Sequence, residues 1–249
     1  MKKDNLPKIS FIALAILAVI LLTVTIFLSQ CQDKGTKRPA SSALRWVSLG
    51  DSITDGGYWQ PVVLEKYHFI HQEEGLSGSC VAGYNDILTP FWAPERLDPI
   101  LASKPDLITI MGGTNDYFQG FALGSFKEVE KKLEDKDPTT FYGAYSTVIE
   151  RIREALPDCQ IVLMTPPQKY SQFLDNKANM SGFTMENFAQ AVRELARHYE
   201  VPILDLHKEP YDEEGMAEDF WDGIHPNPEG AAKIGKGLIA LLEENGYLE

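Results

Sequence analysis

The chain has 249 residues, of which 44% are hydrophobic and 24% charged, ordinary values for one large globular domain plus an appendage. Its formal net charge is −13, and residues 1–43 alone hold six Lys or Arg against two Asp or Glu, so residues 44–249 carry 17 basic against 34 acidic side chains. A body that acidic repels phosphate backbones, which argues against a nucleic-acid partner and disfavours polyanionic substrates.

The N-terminal stretch reads as a membrane segment. Lys2, Lys3 and Lys8 precede Ile9 to Leu28, twenty residues interrupted only by Ser10, Thr23 and Thr25. As a helix that run spans a hydrocarbon core of about 30 Å, and its basic flank orients the N-terminus to the cytoplasm with the rest exported. A cleaved signal peptide is the competing expectation, although its apolar region is usually about 7–15 residues long and ends at small residues. Leu28-Ser29-Gln30-Cys31 also resembles a bacterial lipoprotein signal, which would lipidate Cys31. All three expectations place the remaining chain outside the cytoplasm: single-pass in the cell membrane, secreted, or lipid-anchored. Residues 1–31 are thus taken as cytoplasmic terminus and anchor, 32–43 as a tether, and 44–249 as a single domain. The tether would span about 20 Å as a coil and about 40 Å when pulled straight.

From Leu44 onward, apolar runs alternate with helical periodicity, the pattern of a βαβ chain with a mostly parallel sheet. Strands are expected at 45–49, 67–71, 107–111, 161–165 and 202–206. A short helix is expected from Trp59 to Lys66, and another from Pro94 to Ala102. Between Thr140 and Leu156, residues Ala144, Val148, Ile152 and Ala155 fall on one face, and Pro157 stops the helix. Thr184 is placed to cap the next helix, with Phe183 and Phe188 as a hydrophobic staple and Phe188, Val192, Leu195 and Tyr199 as its buried stripe. The last helix opens on Asn227-Pro228 and buries Ile234, Leu238 and Leu242 before Asn245-Gly246 ends it.

Residues 117–139 break this rhythm. Tyr117 to Phe126 is aromatic and glycine-rich, which suits either a substrate rim or a flap packed on the body by its aromatics. Tyr170 to Phe183 is a second long connection on the same side. Cys31, Cys80 and Cys159 make an odd count; Cys80 follows one strand and Cys159 precedes another, opposite ends of a parallel sheet, so no bridge between them is expected. His68 and His71, at i, i+3 on one expected strand, would point to opposite faces, and no Cys/His cluster has metal-ligand spacing. His198 ends a helix, where a cation suits the dipole; His207 follows a strand and lies within range of the ligand end of the sheet.

Ligands bind beyond the C-terminal strand ends of an open parallel sheet, and four blocks fall there. Gly50-Asp51-Ser52 follows the first strand and puts a serine at a sharp turn into a helix, where free N–H groups favour negative charge. Gly75-Leu76-Ser77-Gly78-Ser79 follows the second, with glycines that let backbone N–H groups approach a ligand. Met111-Gly112-Gly113-Thr114-Asn115-Asp116 follows the third and offers an Asn amide. Asp222-Gly223-Ile224-His225-Pro226 sits before the final helix, where a carboxylate can bond one imidazole nitrogen and turn the other toward a serine. Each block alone is also ordinary turn chemistry.

Taken together and in this order, the blocks resemble those of the SGNH hydrolases, the GDSL-like esterases and lipases, over about 200 residues. The resemblance implies an α/β fold: a flavodoxin-like three-layer α/β/α sandwich with a mostly parallel five-stranded sheet. It implies hydrolysis of esters or thioesters with neither metal nor cofactor. It further implies Ser52 as nucleophile, His225 as base and Asp222 as orienter, with the Ser52 and Gly78 N–H groups and the Asn115 amide as oxyanion donors. Asp51, by the same match, organises the turn. No G-x-S-x-G is present, so the α/β-hydrolase elbow is not an alternative.

The resulting expectation is a membrane-tethered, extracytoplasmic serine esterase acting on acylated glycans or small esters. A lipase, lysophospholipase or thioesterase working near the membrane is the second reading, and a glycan-binding protein without turnover the third. Oligomeric state is not legible in the sequence.

Overall fold

The structure is a computed structural model that describes residues 43–83, 89–167, 177–207 and 218–247. The expected anchor at 9–28, the tether and Cys31 lie outside the described residues. Among the described residues there are five strands: β1 (Arg45–Gly50), β2 (Ile70–Gly75), β3 (Leu107–Met111), β4 (Gln160–Met164) and β5 (Ile203–Leu204). They form one sheet in the order β2-β1-β3-β4-β5, with every pairing parallel.

The helices that lie wholly within the described residues are α1 (Ser52–Asp55), α2 (Gln60–Lys66), α3 (Pro94–Ser103), α4 (Thr114–Gln119), α5 (Phe141–Ala155), α6 (Met185–His198) and α7 (Pro228–Glu244). The central strands are buried along almost their whole length because both faces are covered. Alternation sends Val47, Leu49, Ile108, Ile110, Ile161 and Leu163 into one core, which they share with residues of α3, α5 and α6. It sends Trp46, Leu107, Met111, Val162 and Met164 into the other, with residues of α2 and α7. The result is a three-layer α/β/α sandwich. Two buried polar side chains, Ser48 and Thr109, sit opposite each other in that second row, and Thr109 accepts a hydrogen bond from Trp46 Nε1 at 3.1 Å.

The long helices follow their sequence signals. Thr184 closes a capping box on α6, with Asn187 Oδ1 accepting the Thr184 N–H at 2.8 Å. Phe188, Val192, Leu195 and Tyr199 are buried, as are Ile234, Leu238 and Leu242 on α7. On α5 the buried face is Ala144, Tyr145, Val148, Ile149 and Ile152; Ala155, expected in it, is exposed in the last turn.

β2 lies three residues later than the sequence pattern suggests. The aromatics that mimic a strand, Tyr67 and Phe69, belong to the turn before it: Phe69 packs 5.7 Å from Trp46 and the Tyr67 hydroxyl donates to Glu243 at 2.5 Å. Pairing with β1 begins at Arg45–Ile70 and runs to Gly50–Gly75, so the polar run Gln72-Glu73-Glu74 is strand. An edge position tolerates it. His68 therefore precedes the strand and does not share it with His71. The expected 117–139 loop also differs: Tyr117 to Gln119 continue α4, and two 3-10 turns, Phe126–Glu128 and Leu133–Asp135, follow in its charged second half. Tyr117 and Leu123 are buried and Phe121 and Phe126 pack on the same core, so this segment is a packed flap.

Cys80 is buried and Cys159 partly so; both are free thiols, and burial pushes both upward, Cys159 to about 12. Among the described residues no helix is long and apolar enough to cross a membrane.

Candidate active site

The β1 strand ends at Gly50 and the chain turns directly into α1. Asp51 caps this one-turn helix, its Oδ1 accepting the Ile53 N–H at 3.0 Å. Ser52 is thereby the first helical residue, half-buried at the strand end. Its N–H points out of the helix start, and among the described residues no acceptor takes it.

From the far end of the chain, a tight loop carries Asp222 and His225. The Trp221 N–H bonds the His225 carbonyl at 2.9 Å, and Phe220 and Pro226 form a bridge that closes the loop. Asp222 Oδ1 accepts the N–H groups of Ile224 at 2.9 Å and His225 at 2.8 Å, while Oδ2 lies 2.7 Å from His225 Nδ1. His225 Nε2 lies 2.9 Å from Ser52 Oγ. Carboxylate, imidazole and hydroxyl thus form one hydrogen-bonded chain across 173 residues of sequence. The Asp222 side chain is 52% exposed and that of His225 34%. Such burial as Asp222 has raises its pKa, but the two N–H groups and the imidazole outweigh it, and the carboxyl sits below its usual range.

The loop after β2 is stitched to both neighbours. Leu76 N–H bonds the Gly50 carbonyl at 3.1 Å, and Asp55 Oδ2 accepts both the hydroxyl (2.5 Å) and the N–H (3.2 Å) of Ser77. Gly75 has no room for a side chain, since a Cβ would stand 2.1 Å from the Asp55 backbone nitrogen. Gly78 has φ +80°, a conformation that favours glycine, and its carbonyl accepts Gln119 Nε2 at 3.0 Å. No described group accepts the Gly78 N–H. Asn115, in the first turn of α4, donates from Nδ2 to the Ser79 carbonyl at 3.0 Å. An Asn amide carries two hydrogens, so this bond fixes the side chain and leaves one N–H to give. The structure therefore brings Ser52, His225 and Asp222 into direct contact, and places Gly78 and Asn115 on segments bound to each other and to the strand end bearing Ser52.

His207 and His71 are engaged elsewhere. His207 lies 3.0 Å from Glu186 through Nε2 and 3.3 Å from the Pro166 carbonyl through Nδ1. His71 Nε2 lies 2.9 Å from Ser48 Oγ, its ring 4.3 Å from that of Trp46, and burial lowers its pKa to about 4. Among the described residues no three His, Cys, Asp or Glu side chains converge as a metal site requires. Two buried charges stand behind the site, Arg96 and Asp116, and no motif in the sequence assigns either a role. Arg96 did leave a signal, because it sits in the apolar stripe of α3 with Leu97 and Ile100. Asp116 was visible only as the neighbour of Asn115.

Fold and strand-end geometry agree with relatedness. A model of the GDSL-like lipase/acylhydrolase family matches residues 48–233, and the chain belongs to that family. It is an ester-hydrolysing enzyme. The chain is 26% identical over 226 residues to an acetylxylan esterase of Xylanibacter ruminicola, with 84% of this chain covered but 45% of that protein, so it spans about half of that relative's length. It is 24% identical over 225 residues to an acetylxylan esterase of Geobacillus stearothermophilus, covering 80% of this chain and 92% of the other. The solved structure of a Lactobacillus plantarum protein shares the fold, with TM-score 0.68, 22% identity, and 82% and 98% of the two chains covered.

Proposed function

We propose that this protein is a membrane-tethered, extracytoplasmic serine esterase that removes short acyl groups, acetyl foremost, from glycans or small esters. The observation that carries the reading is the unbroken Asp222–His225–Ser52 chain at 2.7 and 2.9 Å. Two acetylxylan esterases among its relatives support the acyl group and the glycan. The anchor and the outward orientation rest on Lys2, Lys3, Lys8 and the apolar run 9–28.

In the mechanism, Ser52 Oγ attacks the ester carbonyl carbon as His225 Nε2 takes its proton. The carbonyl oxygen becomes an oxyanion held by the Ser52 N–H, the Gly78 N–H and the Asn115 amide. Asp222 holds the ring so that Nδ1 carries the hydrogen and Nε2 is free to accept one; it also stabilises the imidazolium. Collapse breaks the C–O bond, and the alcohol leaves with the proton from His225. Water then gives a proton to His225 and attacks the acyl-enzyme, releasing the carboxylic acid and restoring Ser52. The acidic body suits departure of a carboxylate product, which it repels.

The test is hydrolysis of p-nitrophenyl esters from acetate to decanoate, with Ser52→Ala as control. Expected is a maximum at acetate that the substitution abolishes. A maximum at long chains would favour the lipase or thioesterase reading, for which the exposed Phe118 and Trp221 are the supporting feature. Loss of membrane association on deleting residues 1–31 checks the anchor.

A further inference from the structure

We propose that Asp116, together with Arg96, is a positioning residue for the oxyanion site, holding the backbone from Gly78 to Ala82 in its working geometry. This rests on the reading of Gly78 and Asn115 as oxyanion donors and adds two side chains to it.

Asp116 is completely buried, and backbone N–H groups hold its carboxylate. Oδ2 accepts the Val81 N–H at 3.0 Å and Oδ1 the Ala82 N–H at 2.8 Å. Its chain neighbour Asn115 donates to the Ser79 carbonyl. Two consecutive side chains of α4 thus grip one short stretch of backbone, one as donor and one as acceptor. In its ionised form Asp116 offers two acceptor oxygens without a donor; an amide of the same shape would turn an NH2 toward one of the N–H groups.

Arg96 grips the same stretch from the other side. One guanidinium nitrogen donates to the Ser79 hydroxyl and, at 3.3 Å, to the Thr89 carbonyl. The other donates to the Gly50 carbonyl at 2.5 Å and the Glu74 carbonyl at 2.9 Å. The ends of β1 and β2 and the oxyanion loop therefore meet on one cation, which also lies over the Phe91 ring at 4.5 Å. Gly50 is two residues from Ser52, so this contact couples nucleophile and oxyanion donor.

Both charges are costly to bury. Burial drives the Asp116 carboxyl up to about 7 against its N–H donors, and the groups it faces are Asp51 of the β1–α1 turn, the Cys80 thiol and the Tyr145 phenol, none of them cationic. Burial lowers Arg96 to about 10 while Glu74, Asp51 and Asp55 oppose that fall. A loop containing Gly75, Gly78 and Gly83 would otherwise have many conformations. Oxyanion donors act only when fixed before the charge develops.

The test uses the full chain with Asp116→Asn, Ser79→Ala (which removes the hydroxyl held by Arg96) and Ser52→Ala. Readouts are kcat and KM on p-nitrophenyl acetate, Ki of a boronic acid that mimics the tetrahedral intermediate, and the thermal midpoint. Asp116→Asn is expected to lower kcat roughly 10–100-fold, with KM within about 2-fold and Ki rising in proportion to the kcat loss. Ser79→Ala is expected to show the same split at smaller size. Unchanged kcat and Ki in folded Asp116→Asn, or a loss matched only by the unfolded fraction, would overturn the proposal while leaving the Ser52 reading intact. If Asp116→Asn does not fold, Ser79→Ala and Arg96→Lys decide by the same criterion. Activity surviving in Ser52→Ala would overturn the parent reading, and this one with it.

Discussion

Ser52, His225 and Asp222 differ in how much water they meet, and that difference sets how much each contributes. The Asp222 carboxylate is half exposed, so solvent shares its work of stabilising the imidazolium. What solvent cannot replace is its hold on the ring. We therefore expect Asp222→Ala to reduce kcat by about 10²–10³, less than His225→Ala, which removes the proposed base and should cost roughly 10⁴–10⁶. Steady-state kinetics of the two variants on p-nitrophenyl acetate checks the order; equal losses would mean that Asp222 acts as a full charge partner. On the proposed mechanism Asn115→Ala removes one oxyanion donor and should cost about 10²–10³ in kcat with KM little changed. His71 supplies a prediction about stability. Its folded pKa, about 4, lies below the unfolded value of 6.5, so between those limits the unfolded chain binds more protons and stability falls as pH drops. The loss is complete near pH 4 and is at most about 3 kcal/mol, less to the extent that water reaches the ring. Urea titrations at pH 4.5 and 7.5 should show that His71→Gln lacks this component.

At the level of elements, β1, β3 and β4 were legible because strands covered on both faces read as continuous apolar runs. α5, α6 and α7 were legible because their caps and stripes agree. β2 was not, because an edge strand needs no such run: its polar residues carry the pairing, while the aromatics before it serve tertiary contacts. The nucleophile, Asn and Asp-x-x-His blocks were legible as chemistry at strand ends. Asp116 and Arg96 were not, since their role lies in bonds to backbone that only the folded chain brings near. Gly75 shows how tightly these elements abut. Gly75→Ala would push its methyl into the Asp55 backbone, displacing α1 and with it Ser52; we expect a loss of activity larger than the loss of folded protein, measured as kcat per phosphonate-titrated site. By contrast, Thr184→Ala removes only a helix cap far along the chain and should lower unfolding free energy by about 1 kcal/mol with kcat unchanged.

For the whole molecule, the excess of acidic side chains in residues 44–249 acts on substrate encounter. Acetylated oligosaccharides that also carry uronic acids will approach against repulsion, while neutral ones will not. The ratio of kcat/KM for acidic over neutral acetylated oligosaccharides should therefore rise between about 20 and 500 mM salt, as screening shortens the reach of the field. A flat ratio would place a local basic cleft at the site.

The outer side of β2 has no described strand beside it. A bare strand edge is a template on which a second chain could extend the sheet. Here that edge bears Glu73 and Glu74, so two copies brought edge to edge would align their carboxylates. Crowding many copies onto one surface would then raise their mutual repulsion instead of seeding a shared fibril.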